Sequence, residues 1–285
     1  MNKWVKRSIN LALFIYAFNT LEHVCHKATS GFALNRIQFS DQPIQNETVD
    51  PSILTLLDQP FDYLACGNQS YVFASKDGKY VLKFFKYINH NTPSWTSKVP
   101  LLNRFRSFRA SRQERIAWKI NRDFQSYQIA FEKFRDETAL LHLHLHPTQN
   151  TYPTITIRDK LGIFHPLDLN KTPFILQKRA IGVYSQFSTW LKDGEIDKVR
   201  HGISGLLSLC RKRIALNIED DDVLFYLNFG FIDETPIQID PGHWTYSDKP
   251  TSSSELQTLT HELKEWFSKN YPPLVTYVEE CANRS

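Results

Sequence analysis

The rhythm of apolar positions changes several times along the chain, and each change marks an element. Phe61-Asp-Tyr-Leu64, Tyr71-Val-Phe-Ala74 and Tyr80-Val-Leu-Lys-Phe-Phe85 are short β-rich runs parted by polar turns. Asp77-Gly78 lies between the last two, which predicts a hairpin. From Glu114 to about His146 the apolar residues fall at three- and four-residue steps (Ile116, Ile120, Phe124, Tyr127, Phe131, Phe134, Thr138), which predicts one long helix. Thr154–Ile157 and Phe174–Leu176 read as strands. A second helix is expected over Glu195–Ile214, with Ile196, Val199, Ile203, Leu206 and Cys210 on one stripe. The tail from Ser252 predicts a helix to about Asn270 and another after Pro273.

Two segments break these rhythms. Residues 35–60 are polar, with Pro43, Pro51 and Pro60, and read as a linker. Residues 89–112 form a basic, proline-punctuated insertion before the long helix. Arg104, Arg106, Arg109, Arg112 and Arg115 are interleaved with Phe105 and Phe108. That stretch could meet a polyanion, but a solvated insertion explains it more simply, so nucleic acid is not an expected partner.

The N-terminus has its own pattern. Lys3, Lys6 and Arg7 precede an apolar run, Ile9 to Phe18, interrupted by Asn10. Basic residues before a short apolar stretch resemble the first two regions of a signal peptide. Three readings stand: an uncleaved anchor, a cleaved signal, or an apolar helix docked on the domain. The first two imply a membrane-associated or secreted protein, with membrane contact through residues 8–24.

Composition narrows the class. The chain is 41% hydrophobic and 22% charged over 285 residues, enough for two lobes of ordinary size. The net charge of +4 permits anionic ligands without demanding nucleic acid. The four cysteines, Cys25, Cys66, Cys210 and Cys281, include no C-x-x-C pair, which argues against a zinc or redox centre. His142, His144 and His146 alternate with leucine; on a helix His142 and His146 would share a face, but no third metal ligand is evident.

Four features carry chemistry. Cys66-Gly67-Asn68-Gln69-Ser70-Tyr71-Val72 occupies the turn of the first hairpin, where small residues admit a close ligand. Lys83 sits in an apolar strand, where an ammonium wants a counter-charge. Glu137, with Glu132 as the reserve, lies on the following helix as a candidate partner. Asn228-Phe-Gly-Phe-Ile-Asp233 to Ile239-Asp240-Pro241-Gly242 reads as a β-hairpin that sets an amide beside a carboxylate at one end.

In this order the features resemble the protein-kinase family, over about residues 64–242. The loop is similar to G-x-G-x-x-G-x-V, with Gly67 as the middle glycine, Val72 as the valine, and Ala65 and Ser70 at the outer positions. Val81-Leu82-Lys83 resembles V-A-I-K, and Asn228 through Asp240-Pro241-Gly242 resembles the N…D-F-G segment. The resemblance implies an α+β, two-lobed fold with an antiparallel N-lobe sheet (61–179) and a reduced helical C-lobe (180–285), after an N-terminal segment (1–34) and a linker (35–60). It implies ATP and Mg²⁺ as cofactors. Gly67, Ser70, Val72 and Lys83 would bind nucleotide, Glu137 would orient Lys83, and Asn228 and Asp240 would hold the metal. The acceptor would be a protein or a small molecule.

The pattern departs from the family where the base belongs. Five residues before Asn228 stands Val223, and no His-Arg precedes it. Asp222 is then the preferred base and Asp220 the second choice. Only 43 residues follow Gly242, without an A-P-E, so the plan is closer to aminoglycoside-phosphotransferase-like proteins. With Cys25-His-Lys-Ala-Thr29 before Gly31-Phe32, the chain also looks like kinase-like proteins of chlamydia-like intracellular bacteria. Two functions from different classes follow: a phosphotransferase, or a membrane-tethered pseudokinase that keeps the fold without turnover.

Overall fold

A computed structural model describes residues 3–39, 43–86, 103–222, 224–247 and 254–284. It begins with helices α1 (Lys3–Thr29) and α2 (Pro51–Leu57), then strands β1 (Phe61–Cys66), β2 (Ser70–Ser75) and β3 (Tyr80–Phe85). Next come α3 (Asn103–Lys133), α4 (Arg135–Thr138), β4 (Leu140–His144), β5 (Thr154–Arg158), β6 (Phe164–Asp168) and β7 (Phe174–Lys178). The rest comprises β8 (Ile181–Gly182), α5 (Val183–Lys192), α6 (Ile196–Ala215), β9 (Ile218–Asp220), α7 (Phe225–Asn228), β10 (Phe229–Ile232), β11 (Thr235–Gln238), β12 (Trp244–Tyr246), α8 (Ser254–Asn270) and α9 (Val275–Asn283). One seven-stranded sheet has the order β4-β7-β3-β2-β1-β5-β6. It is mixed, because β1 pairs antiparallel with β2 but parallel with β5. The chain divides into two compact units, residues 1–78, 82–89 and 146–174, and residues 79–81, 90–145 and 175–285.

In the first unit the predicted hairpins form. At the turn after β2, Gly78 adopts φ +73° and its N–H donates to Ser75 O at 2.9 Å. Phe61, Phe73 and Phe84 are fully buried. The Phe73 and Phe84 rings meet edge-on at 5.5 Å, so these neighbours on β2 and β3 share a face. Strand alternation then sends Val72 and Lys83 to the other face together. The expected linker contains a helix: Asp50 accepts the Ser52 N–H at 2.9 Å, Pro51 opens α2, and Ile53 and Leu57 are buried. An acid cap before Pro at the first helical position was a start signal outweighed by the surrounding polarity.

The membrane reading does not hold. Among the described residues no helix is long and apolar enough to cross a membrane. Length is not the obstacle, since 27 residues span roughly 40 Å at 1.5 Å per residue. Asn10, Asn19, Glu22, His23 and His26 spread polar groups through α1 and dilute its apolar run. The uncleaved membrane anchor, and the membrane-associated placement built on it, are thereby overturned. The segment that follows α1 is instead held to the sheet: Tyr71 Oη donates to Gly31 O at 2.7 Å, and Phe32 packs edge-on against Tyr71 and Phe73.

In the second unit the expected helix over 114–146 is replaced by three elements. Helix α3 already begins at Asn103, inside the presumed insertion, and ends at Lys133; a short α4 and the strand β4 follow. Ala139 takes a left-handed φ of +52° and stops α4. Leu140-Leu-His-Leu-His144 alternates with period two, a strand rhythm that the longer apolar stripe concealed. His142 is therefore on a strand and His146 beyond it, and among the described residues no group of three or more His, Cys, Asp or Glu could hold a metal ion. The remainder of the insertion, 89–102, lies outside the described residues, as do the side chains of Arg104, Phe105, Arg106, Phe108, Arg109 and Arg112.

The larger core packs α5, α6, α8 and α9 around Phe187, Ile203, Leu206, Leu263 and Phe267. The β10–β11 hairpin lies against it through Phe231, whose ring is 4.9 Å from Trp190. Gly230 sits where β10 meets β8; a Cβ there would come within 2.5 Å of Ile181 O. Backbone cannot yield as a flexible side chain can. Gly230→Ala is therefore expected to cost about 1–3 kcal/mol, as overpacked sites do, read as a lower urea midpoint at unchanged slope.

Candidate functional site

The first unit holds the glycine-bearing turn. Gly67 N–H donates to Ser70 O at 3.0 Å, and Lys86 N–H donates to Gln69 O at 2.8 Å. The Lys86 ammonium bonds Gly67 O and stands 4.8 Å from the Tyr71 ring centre, so the turn is braced from its far side. A Cβ on Gly67 would meet only Ser70 O, at 3.8 Å. Packing among the described residues thus does not require glycine there, and a residue without a Cβ is what a close backbone approach to phosphate needs. Lys83 is 3% exposed on the face it shares with Val72, and Ser70 is buried at the mouth of β2.

The amide and the carboxylate lie in the second unit. The β10–β11 ladder pairs Phe229 with Gln238, and that register brings the residues just outside it together. Asn228 O accepts the Ile239 N–H at 2.6 Å and the Asp240 N–H at 3.4 Å. The Asn228 side-chain N–H donates to Asp222 O at 2.6 Å, which orients the amide. Asn228 is 6% exposed. Asp222 is half-buried and uses its backbone, rather than its carboxylate, for these bonds. Val223, where the family places its base, lies outside the described residues.

Asp220, the second choice as base, is buried. Its carboxylate accepts from Asp222 N–H at 3.0 Å, Gln238 Nε2 at 2.8 Å and Trp244 Nε1 at 3.0 Å, with Arg213 at 3.9 Å. Burial raises its pKa against the pull of Arg213 and these donors. A group so enclosed is held by its donors, whereas Asp221 is exposed and Asp222 half-buried.

The helix carboxylates are arranged differently from expectation. Glu137 is on α4, not on α3, and pairs with Lys212 of α6. Glu132 is exposed. The buried acid on α3 is Asp123, 6% exposed and nine residues before Glu132, about 180° away around the helix. Burial raises the Asp123 pKa, Arg122 and His243 oppose this, and the Asp240 charge adds to it, so Asp123 is within electrostatic reach of Asp240. Tyr127, one turn on, donates its hydroxyl to Asp240 Oδ1 at 2.8 Å. Burial and the Asp240 charge hold that phenol well above its usual pKa, so it remains a donor. Ser126 Oγ bonds Pro241 O and accepts the Trp244 N–H at 2.6 Å. One face of α3 therefore grips Asp240-Pro241 from both sides. A buried acid one turn before a tyrosine, within an apolar stripe, is the sequence signal for this arrangement.

No family model matches the chain, and no curated protein does. Among solved structures, WbdD in complex with the kinase inhibitor LY294002 aligns at 14% identity over 78% of this chain and 46% of that one, with a TM-score of 0.38. A further WbdD structure aligns at 14% identity over 86% and 47%, TM-score 0.38. The bifunctional kinase-methyltransferase WbdD aligns over 76% and 43%, TM-score 0.37. The chain spans slightly less than half the length of these chains, and a likeness this distant carries no argument about chemistry. The fold class is α+β and kinase-like: a glycine-bearing hairpin, a lysine strand, a long helix, four further strands of the seven-stranded sheet and an Asn…Asp hairpin follow one another along the chain.

Proposed function

We propose that the chain is a kinase-like nucleotide-binding protein that transfers phosphate from ATP, with Mg²⁺, to an acceptor hydroxyl. The observation that carries this reading is the pairing of Asn228 with Asp240 by backbone hydrogen bonds across the end of a hairpin. An amide oxygen and a carboxylate are hard donors of the kind Mg²⁺ takes, with substrate phosphates and water completing its shell. These donors suit Mg²⁺, and glycine at position 67 suits a close phosphate. Bound there, Mg²⁺ and ATP would supply charge neutralisation and the transferable phosphoryl group. The chain's own residues do the rest. Gly67 and Ser70 admit the phosphates, Val72 offers an apolar surface to the base, and Lys83 neutralises phosphate oxygens. Asn228 and Asp240 hold the metal, with Tyr127 fixing the Asp240 rotamer. Asp222 takes the acceptor proton.

The second reading is a pseudokinase interaction module, favoured by Val223 at the family's base position and by Ala65 and Ser70 at the outer glycines. Thermal unfolding of the full chain with ATP, with and without Mg²⁺, tests the nucleotide half of both. Stabilisation should be larger with metal, near 3 kcal/mol at about a hundredfold excess over Kd, because only the native state binds. No metal-dependent stabilisation at millimolar ATP would remove nucleotide binding from both readings.

A further inference from the structure

We propose that Asp220 is a positioning residue that sets the distance between Asn228 and Asp240, and through it the affinity of that pair for Mg²⁺. The inference rests on the kinase-like reading of the pair but concerns a residue outside it. Four hydrogen-bonded steps form a closed ring, and a fifth bond joins it from Trp244. Asp220 Oδ1 accepts the Asp222 N–H at 3.0 Å, and Asp222 O accepts Asn228 Nδ2 at 2.6 Å. Asn228 O accepts the N–H groups of Ile239 and Asp240. Gln238, two residues before Asp240, returns to Asp220 Oδ2 at 2.8 Å, and Trp244, four residues after Asp240, donates to the same oxygen at 3.0 Å. One carboxylate therefore ties the loop that carries Asp222 and Asn228 to both flanks of Asp240.

The arrangement is costly unless fully paired. Asp220 is 9% exposed, and Arg213, 0% exposed, stands beside it as counter-charge. Desolvating a carboxylate is unfavourable, and these donors offset it only in this geometry. An apolar residue could fill the volume, but it could not hold three separate segments by directed bonds. Partners behind metal ligands typically change metal affinity by about 10–100-fold when removed.

The test is a Mg²⁺ titration of the full chain at fixed ATP, followed by thermal unfolding, for wild type and Asp220→Asn. The amide keeps the shape but turns an NH₂ toward either the Asp222 N–H or the Gln238 and Trp244 donors, opening the ring on one side. The half-saturating Mg²⁺ concentration should rise about tenfold, while stabilisation by ATP in EDTA stays at the wild-type value. A lowered Tm with an unchanged Mg²⁺ midpoint would assign Asp220 a purely structural role and overturn the proposal. If Asp220→Asn does not fold, Gln238→Met and Trp244→Phe each remove one donor to Oδ2; both should raise the midpoint about threefold, on the lower side of the same range, and no rise in either is equally fatal. A wild-type chain with no Mg²⁺ response removes the kinase-like reading itself, whereas a response shared equally by wild type and variants removes only the role of Asp220.

Discussion

Asp222→Asn is expected to lower phosphate transfer by about 10²–10⁴-fold, the usual contribution of a general base, while leaving ATP–Mg²⁺ binding nearly intact. The separation of effects follows from the bonding. Asp222 supports its surroundings through its backbone, donating its N–H to Asp220 and accepting from Asn228 Nδ2 at its carbonyl. An asparagine preserves both bonds and the side-chain volume, and it loses only the ability to take a proton. Transfer of labelled phosphate from ATP, to the protein itself or to water, measures the chemical step, and the Mg²⁺-dependent thermal shift measures binding. Equal transfer by wild type and variant would remove Asp222 from the chemistry. Because Asp220 is enclosed by its donors, no other acid of the cluster except the exposed Asp221 could then take its place.

The largest expected change in stability is at Glu255. Arg213 is fully buried in α6, and Glu255, in the first turn of α8, is its closest counter-charge. Cys210 Sγ also bonds Glu255 Oε1 at 3.5 Å; burial pushes that thiol up to about 11, so it stays protonated and donates. The guanidinium lies 5.2 Å from the Trp244 ring centre and donates to Ile218 O at 3.1 Å. Burial pulls its pKa below the usual arginine value, with Asp220 opposing. Glu255→Leu leaves this cation short of charge in a dry core and should cost about 3–5 kcal/mol in urea unfolding. Arg213→Met combined with Glu255→Leu should recover much of that loss, since matched apolar residues often equal or exceed a buried pair. A loss below about 1 kcal/mol in the single variant would show that water reaches the pair, as at exposed ion pairs.

Secondary-structure elements were mostly legible where they depend on local pattern. The hairpin around Asp77-Gly78, the Asn228–Asp240 hairpin, and the helices over 196–215, 254–270 and 275–283 all follow from short-range periodicity and turn chemistry. The opposite faces of Lys83 and Phe84 follow from strand alternation alone. Where the reading failed, two local signals competed. The three- and four-residue stripe from Ile116 to Thr138 overran the alternation of Leu140–His144. The basic, apolar opening of α1 outweighed the polar residues that keep it from being a membrane span.

What the sequence by itself determined is therefore the α+β class, the order of the chemical elements, and which residue types stand at the turns, since each depends on contacts within a few residues. The tertiary structure decided which acids are buried and what they hold. Asp123, Asp220 and Glu132 look alike in sequence, yet one faces Asp240, one closes a hydrogen-bonded ring, and one is exposed. That choice depends on segments 15 to 120 residues apart meeting in a low-dielectric interior, where the cost of an unpaired charge, rather than any local propensity, selects its partner.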